Sequence, residues 1–513
     1  MSNRSIDNVF ALIQTLTKAE KRYFSLYISR QASSENAAYM QLFDAMSKME
    51  QYDEKKVLSK STSVRPAQLN NLKAHLYHQI LTALTLFHSS RNLDNQIREQ
   101  IAFAKILYNR GLVIQSLKVL DKAKSLAKNN SHFLLTLEIL QFEKLIEARH
   151  ITRSMSGRAE QLSDETSFVL QQVNEVAQLS SLTLRLYGIF LEKGHVKNEE
   201  EAKKLRLFFK EEIKGISYQQ ISFFGKGYLH QAYCWYYFIQ LDFARYYHHA
   251  LKWVNLFEDH PKAKTEDPFL YLKGLHNVVT ALFFLGKQAE LKVQIEKLNL
   301  FYREAGGYNE NLQIQAFIYL YTAKLNFYFL SGRFSEGLSI VPEIEDQLQR
   351  YHLFIDTHRV LVFYYKIASL YFGAGKTEKA IDYLNKIINL KVGHLRSDLQ
   401  CFARILHLVA HYELGNTELL EYLLKSVYRF LGTMENLDAV QKTMLNFLRR
   451  RLSSKARDER ESFIELKNEL ERIARDKYSR RSYQYLDIVS WLESKIEQKP
   501  VELIIQDKAR RMK

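Results

Sequence analysis

The chain has 513 residues, of which 5 are proline and 18 are glycine. Proline at about 1% stands against an average near 5%, and glycine is at about half its usual share; tight turns need these residues, so all-β folds are nearly excluded and α/β folds built on Gly-rich ligand loops are disfavoured. The formal charge of +16, from 73 Lys+Arg and 57 Asp+Glu, is spread rather than blocked, which permits acidic partners without demanding them.

Hydrophobic residues make up 46% of the chain, with 31 Tyr and 31 Phe, enough for an extensive core. Cys234 and Cys401 lie far apart and form neither a disulfide framework nor a zinc spacing. The first residues lack the apolar region of a signal peptide, and no run approaches 18 uninterrupted apolar residues. These features lead to the expectation of a reduced, soluble, cytoplasmic protein with no membrane span.

Residues 1–95 read as a helical N-terminal unit. Thr17-Lys18-Ala19-Glu20 is a capping box opening a helix through about Ile28. A second helix is expected from about Ala38 to Glu50, and Asp53 caps a short one to about Ser59. Ser61-Thr62-Ser63-Val64-Arg65 reads as a loop, and Pro66 suits the first turn of a long helix to His88. Long, short, loop, long is the order of a tri-helical unit. The block Leu16 to Phe24 resembles the start of helical-repeat proteins of Bacteroidetes-type genomes, a likeness that supplies no activity.

From residue 96 to residue 432 apolar positions recur at i, i+3, i+4 and i+7, and the helices repeat. Ala104 to Gly111 reads as a helix closed by a left-handed glycine, followed by a helix with Ser116, Leu120 and Ala123 on its buried stripe. The figure returns around Gly286, Gly332, Gly375 and Gly415, and less regularly near Gly194 and Leu241-Asp242. Its best copy is Tyr364, Ile367, Ala368, Tyr371, Gly375, Ala380, Leu384, Ile387. Gly306-Gly307 falls between hairpins, and Pro261 and Pro268 flank another junction. Pro342 falls inside an expected helix, where a kink should form. The stretch from about Met434 to the end holds charged helices and reads as a cap.

Ala104, Leu107, Gly111, Leu120 and Ala123, and better still Ala368, Tyr371, Gly375, Ala380 and Leu384, resemble the tetratricopeptide repeat family. The steps from Leu241 to Gly286, Gly332, Gly375 and Gly415 are 45, 46, 43 and 40 residues, longer than that family's 34, so the helices are longer and the packing is degenerate. The resemblance implies an all-α right-handed superhelix of stacked helical hairpins, an α-solenoid, with the N-terminal unit at one end and the cap (433–513) at the other. A single hairpin buries too little apolar surface to offset its ordering entropy, whereas stacked neighbours share a continuous core. In such stacks the first helix of each hairpin lines a concave groove. Carrying the family's groove positions over gives Lys105, Gln231, Trp235, His276, Thr280, Thr322, Asn326, Tyr365 and Ser369.

Other motifs carry less. Gly373-Ala374-Gly375-Lys376-Thr377 matches the end of a phosphate-binding loop, but the required earlier glycine is Leu370 and the context is helical. It reads as a turn between hairpin helices. His407 and His411 have metal-sharing spacing, but position 408 is Leu and no third ligand is near. They read as ordinary helical histidines, as do His75, His78, His248 and His249. Gly225-Lys226-Gly227 reads as a loop before a helix, and the two cysteines as buried apolar residues. Tyr108, Phe238, Phe283, Phe329, Phe372 and Tyr412 each precede a hairpin turn by three residues; this stripe reads as inter-helix core. Two basic clusters, Arg449-Arg450-Arg451 with Lys455, Arg457 and Arg460, and Lys477, Arg480 and Arg481 with Tyr478, Tyr483 and Tyr485, could touch phosphates. Interleaved carboxylates such as Asp458, Glu459 and Glu461 give the first the pattern of a solvated helix.

No catalytic constellation, metal set or cofactor fingerprint is present in this reading. The leading expectation is a non-enzymatic scaffold that binds a peptide or protein partner in the groove. The alternative is a nucleic-acid-linked transcriptional regulator acting through the N-terminal unit.

Overall fold

The computed structural model describes residues 7–30, 36–61, 63–89, 92–150, 157–352, 354–390, 397–432, 439–453, 459–476, 478 and 487–511. Among these the protein is all-α, with no strand, and no helix is long and apolar enough to cross a membrane. Contacts divide the chain into two compact units, Met1–Val173 and Asn174–Lys513.

Unit 1 begins with α1 (Asn8–Thr15), α2 (Lys18–Ser29), α3 (Asn36–Ser47), α4 (Glu54–Lys60) and α5 (Leu69–His88). The capping box is present: the Glu20 amide donates to Thr17 Oγ1 at 3.3 Å and the Thr17 amide to Glu20 Oε2 at 2.7 Å. Asp53 caps α4, and Pro66 opens a 3-10 turn (Pro66–Gln68) that leads into α5. The helix α1 was not expected from the sequence. Asp7 caps it by accepting the Val9 and Phe10 amides, and it packs on α3 and α5. Val9, Phe10 and Ile13 thereby join Phe24, Leu42, Leu76 and Ile80 in one core. The unit continues with α6 (Leu93–Asn109), α7 (Val113–Asn129), α8 (Phe133–Arg149) and the start of α9 (Arg158–Lys193), within which the boundary between units falls. Here Ile97, Ile101, Leu117, Leu120 and Ile139 form a second core. Glu143 is fully buried and receives Lys124 Nζ at 2.5 Å, with Arg158 at 3.8 Å. Burial raises the Glu143 pKa against the pull of these cations.

Unit 2 contains α10 (Glu199–Glu212), α11 (Phe223–Ile239), α12 (Phe243–Glu258), α13 (Pro261–Glu266), α14 (Pro268–Phe284), α15 (Gln288–Ala305), α16 (Glu310–Ser331), α17 (Phe334–Gly337), α18 (Val341–Arg350), α19 (Thr357–Gly373), α20 (Thr377–Ile388), α21 (Ser397–Glu413) and α22 (Thr417–Gly432). Helices adjacent in sequence pack in pairs, and the first helices of successive pairs also touch: α11 with α14, α14 with α16, α16 with α19, α19 with α21. One continuous core runs through them, from Cys234 and Trp253 through Phe317 and Leu370 to Leu406. Both cysteines are buried.

The hairpin turns share one hydrogen-bond pattern. At Gly375 (φ 73°) the glycine amide donates to Phe372 O at 3.0 Å and the Lys376 amide to Tyr371 O at 2.9 Å. This is the Schellman closure of a helix. The same pair of bonds closes α6 at Gly111, α14 at Gly286, α16 at Gly332 and α21 at Gly415, and closes α11 at Leu241, which takes φ 59° without being glycine. The residue three before each turn lies where the helix end meets its neighbour. Tyr108, Phe238, Phe283, Phe329 and Tyr412 are partly buried against the core, and Phe372 is buried in it. Pro342 sits in the first turn of α18 behind a 3-10 turn, Leu338–Ile340, so the expected kink is a full break between α17 and α18.

The final helices are α23 (Ala439–Ser453), α24 (Glu459–Ala474), α25 (Ile488–Glu497) and α26 (Val501–Arg511). They do more than cover the last pair. α26 returns to α16, where Gln506 Nε2 donates to Gly332 O at 2.8 Å. The Ser335 amide and hydroxyl donate to Glu502 at 3.0 and 2.6 Å. A Cβ at Gly332 would lie 2.7 Å from the Gln506 nitrogen, so this turn needs glycine for φ and for space.

Candidate functional site

A cleft of mixed chemistry in unit 2 has a volume of about 450 Å³ and is walled by α9, α11, α14, α16 and α19. Aromatic rings make much of its surface: Tyr187, Tyr228, Trp235, Phe269 and Tyr319. Tyr187 and Trp235 pack with ring centroids 5.1 Å apart. Gln231, Asn311 and Gln315 add amides, and Lys273, Arg359 and Asp267 add charge.

Local sequence places these groups. Asp267 caps α14 by accepting the Leu270 amide at 2.9 Å, and Pro268 follows at the first helical position, where its missing N–H costs nothing. From that cap Phe269 and Lys273 stand one turn apart on the same face. Asn309 caps α16 and sets Asn311, Gln315 and Tyr319 in a stripe at four-residue spacing. Asp356 caps α19 and brings Arg359 to the cleft. Ser222 caps α11 by accepting the Gly225 amide at 3.1 Å, so Gly225-Lys226-Gly227 is the first turn of a helix and not the expected loop. At Gly227 a Cβ would meet Leu270 Cδ2 at 3.2 Å, so α11 and α14 approach closely there.

Burial lowers the Lys273 pKa, and no ion pair or side-chain hydrogen bond with a described residue compensates it. Burial raises the Asp267 pKa against the hydrogen bonds of its cap. His276 stacks on Tyr319 with centroids 3.9 Å apart, and its Nδ1 has no hydrogen-bond partner among the described residues. Burial, reinforced by the charges of Lys273 and Arg359, takes its pKa down to about 3, so it is a neutral ring at physiological pH.

Of the nine groove positions expected from the sequence, Gln231 and Trp235 line the cleft, and His276 supports Tyr319 from behind. Asn326 is buried and accepts from Lys366 Nζ at 2.6 Å. Tyr365 is buried and its carbonyl accepts from Ser369 Oγ at 2.9 Å. Thr280 and Thr322 are half-buried on α14 and α16, off the lining. Lys105 belongs to unit 1 and pairs with Glu138 of α8 at 2.9 Å. The lining residues that sequence reasoning missed continue the same faces toward the helix N-termini: Tyr228 before Gln231, Lys273 before His276, Gln315 and Tyr319 before Thr322. Stepping the groove positions back by three residues would have found Tyr228, Lys273 and Tyr319; Gln315 lies seven before Thr322, and Tyr187, Asn311 and Arg359 are not reached by that step.

A second cavity of about 520 Å³ contains a hydrogen-bonded chain of rings. Tyr218 Oη lies 3.1 Å from His230 Nε2, and His230 Nδ1 lies 3.2 Å from His249 Nδ1. Burial, with the nearby cations, lowers these histidines to about 4 and about 3. His407 and His411 form another buried pair, Nε2 to Nε2 at 3.3 Å, with Asn416 on His411 Nδ1. Among the described residues no group of three or more His, Cys, Asp or Glu is placed to hold a metal ion.

At Gly375 both turn amides are spent on α19 carbonyls, and Lys376 is exposed, so no phosphate cradle forms. The only Lys or Arg of α5 is Lys73, and it is engaged by Asp7 at 2.6 Å and Tyr52 at 3.1 Å. In the first basic cluster Arg451 pairs with Glu459 at 3.1 Å; Lys455, Arg457 and Asp458 lie outside the described residues. So do Lys477, Arg480, Arg481, Tyr483 and Tyr485 of the second, while Tyr478 donates to Glu199 at 2.8 Å. No protein-family model, curated protein or solved structure matches the chain.

Proposed function

We propose that the protein is a non-enzymatic interaction scaffold whose paired helices stack as a right-handed, tetratricopeptide-like superhelix. It binds a peptide segment of a protein partner in the cleft of unit 2. The observation that carries this reading is the make-up of the cleft: aromatic walls and amide groups drawn from α9 and three successive first helices, α11, α14 and α16, with Arg359 added by α19. Aromatic faces bury a partner's side chains, and amides satisfy its backbone. No nucleophile with an adjacent base lines the cleft, and its one histidine neighbour is stacked and neutral.

The test is selection of binders from a displayed peptide library on the full chain, repeated with Trp235→Ala. The expected result is a set of related peptides whose affinity falls at least about tenfold in the variant. Absence of any enriched peptide, or enrichment indifferent to Trp235→Ala, refutes the reading.

A further inference from the structure

We infer that the segment received by this cleft is acidic, with carboxylates at two separate places, and that it lies across α14, α16 and α19. The inference rests on the peptide-binding reading above and specifies its partner. Lys273 is the first observation. It is a partly buried ammonium on the cleft wall with no ion pair and no side-chain hydrogen bond to any described residue. Three other lysines of unit 2 near the core do have partners, Lys264 and Lys297 on Glu258 at 2.8 and 2.9 Å and Lys366 on Asn326, whereas Lys324, off the cleft, has a ring contact with Tyr321 in place of a carboxylate. A cation withdrawn from water without a counter-charge is unfavourable, and an incoming carboxylate removes that penalty.

Arg359 is the second. Asp356 approaches it at Nε, at 3.3 Å, and its two terminal nitrogens donate no hydrogen bond to a described residue. That leaves open the edge which binds carboxylates bidentately. The one carboxylate lining the cleft, Asp267, is committed to the α14 cap. Two cations therefore face the cleft without a free anion among the described lining residues.

Their placement sets the geometry. Lys273 stands on α14 and Arg359 on α19, with α16 between them presenting Asn311, Gln315 and Tyr319. Packed helices lie about 8–10 Å apart, so Lys273 and Arg359 are rooted on helices about two such spacings apart, and we match that placement with one acidic side chain for each cation on an extended segment. The amides of α16 then meet the backbone between them.

Fluorescence anisotropy on the full chain tests this with short labelled peptides blocked at both ends. The first alternates Glu with Phe and Leu, the second has Gln for every Glu, the third has Lys for every Glu, and the fourth is the Gln peptide with a free terminal carboxylate. The acidic peptide is expected to bind at least about tenfold tighter than the others and to weaken with added salt. Lys273→Met and Arg359→Gln should each remove most of the difference in affinity between the Glu and Gln peptides. Equal binding of the Glu and Gln peptides, lost together in Trp235→Ala, overturns the acidic partner and leaves the groove reading intact. Binding of the free-terminus peptide as tight as the acidic one overturns the two-carboxylate geometry. Preference for the Lys peptide, or indifference to both charge variants, also overturns the inference. No binding of any peptide, or binding indifferent to Trp235→Ala, overturns both readings.

Discussion

Lys273→Met should make the unliganded protein more stable. Methionine follows nearly the same path as the lysine stem but carries no charge. The lysine it replaces is partly buried on the cleft wall and has no ion pair with a described residue. Burying a polar group without a partner costs about 1–3 kcal/mol in proteins, and partial exposure places Lys273 near the low end, about 1 kcal/mol. In a chain of this size that shifts a thermal midpoint by about 2 °C. The pH dependence is diagnostic. Burial lowers the folded-state pKa of Lys273 below its unfolded value, so between the two the unfolded chain binds more protons, and wild-type stability rises with pH across that window. The advantage of the Met variant should be full near neutral pH and should shrink toward about pH 10. Urea unfolding of both proteins over that range measures it. A variant less stable than wild type, or a difference that does not change with pH, refutes the assignment of Lys273 as an unpaired charge kept for a ligand.

Gly332→Ala should cost roughly 2–4 kcal/mol, since it combines left-handed strain with a clash against the α26 backbone. Gly375→Ala has open space around its Cβ and should cost only the conformational part, about 1 kcal/mol; thermal unfolding separates the two. Lys124→Met leaves Glu143 buried without its nearest cation and should destabilise unit 1 by about 3 kcal/mol. The folded-state pKa of Glu143 is already raised, so this loss should grow as pH rises above the ordinary carboxylate range and fade below it, which urea unfolding across that range follows. At Glu258 burial opposes ionisation, but Lys264, Tyr271 and Lys297 outweigh it and hold the carboxyl at about 2. Glu258→Gln should therefore lose about 1–2 kcal/mol above the unfolded carboxylate pKa, and the difference from wild type should vanish as pH falls toward about 2.

Local chemistry made much of the fold legible. Thr17 with Glu20, Asp53, and the glycines at 111, 286, 332, 375 and 415 announce helix ends because caps and Schellman turns are settled by hydrogen bonds within a few residues. The aromatic stripe could be read as core for the same reason: its position relative to each turn is constant. The turn at Leu241 was legible only from its neighbours in the repeat, because leucine itself gives no left-handed signal. Gly225 and Gly227 misled, since a glycine pair reads as a loop until Leu270 is seen against it.

The sequence by itself determined that this chain is helical, where most of its helices begin and end, and that they recur in pairs. These properties follow from short-range hydrogen bonds and from the period of the apolar positions. Only the tertiary structure decided that Tyr187, Trp235, Lys273, Tyr319 and Arg359 share one cleft, and that α26 returns to Gly332. Periodicity names the buried face of a helix, but not which turn of that face is left uncovered by its neighbours. That depends on how far each helix is offset along the next. The same offset leaves Lys273 facing the cleft without a carboxylate, while Lys264 and Lys297 both meet Glu258.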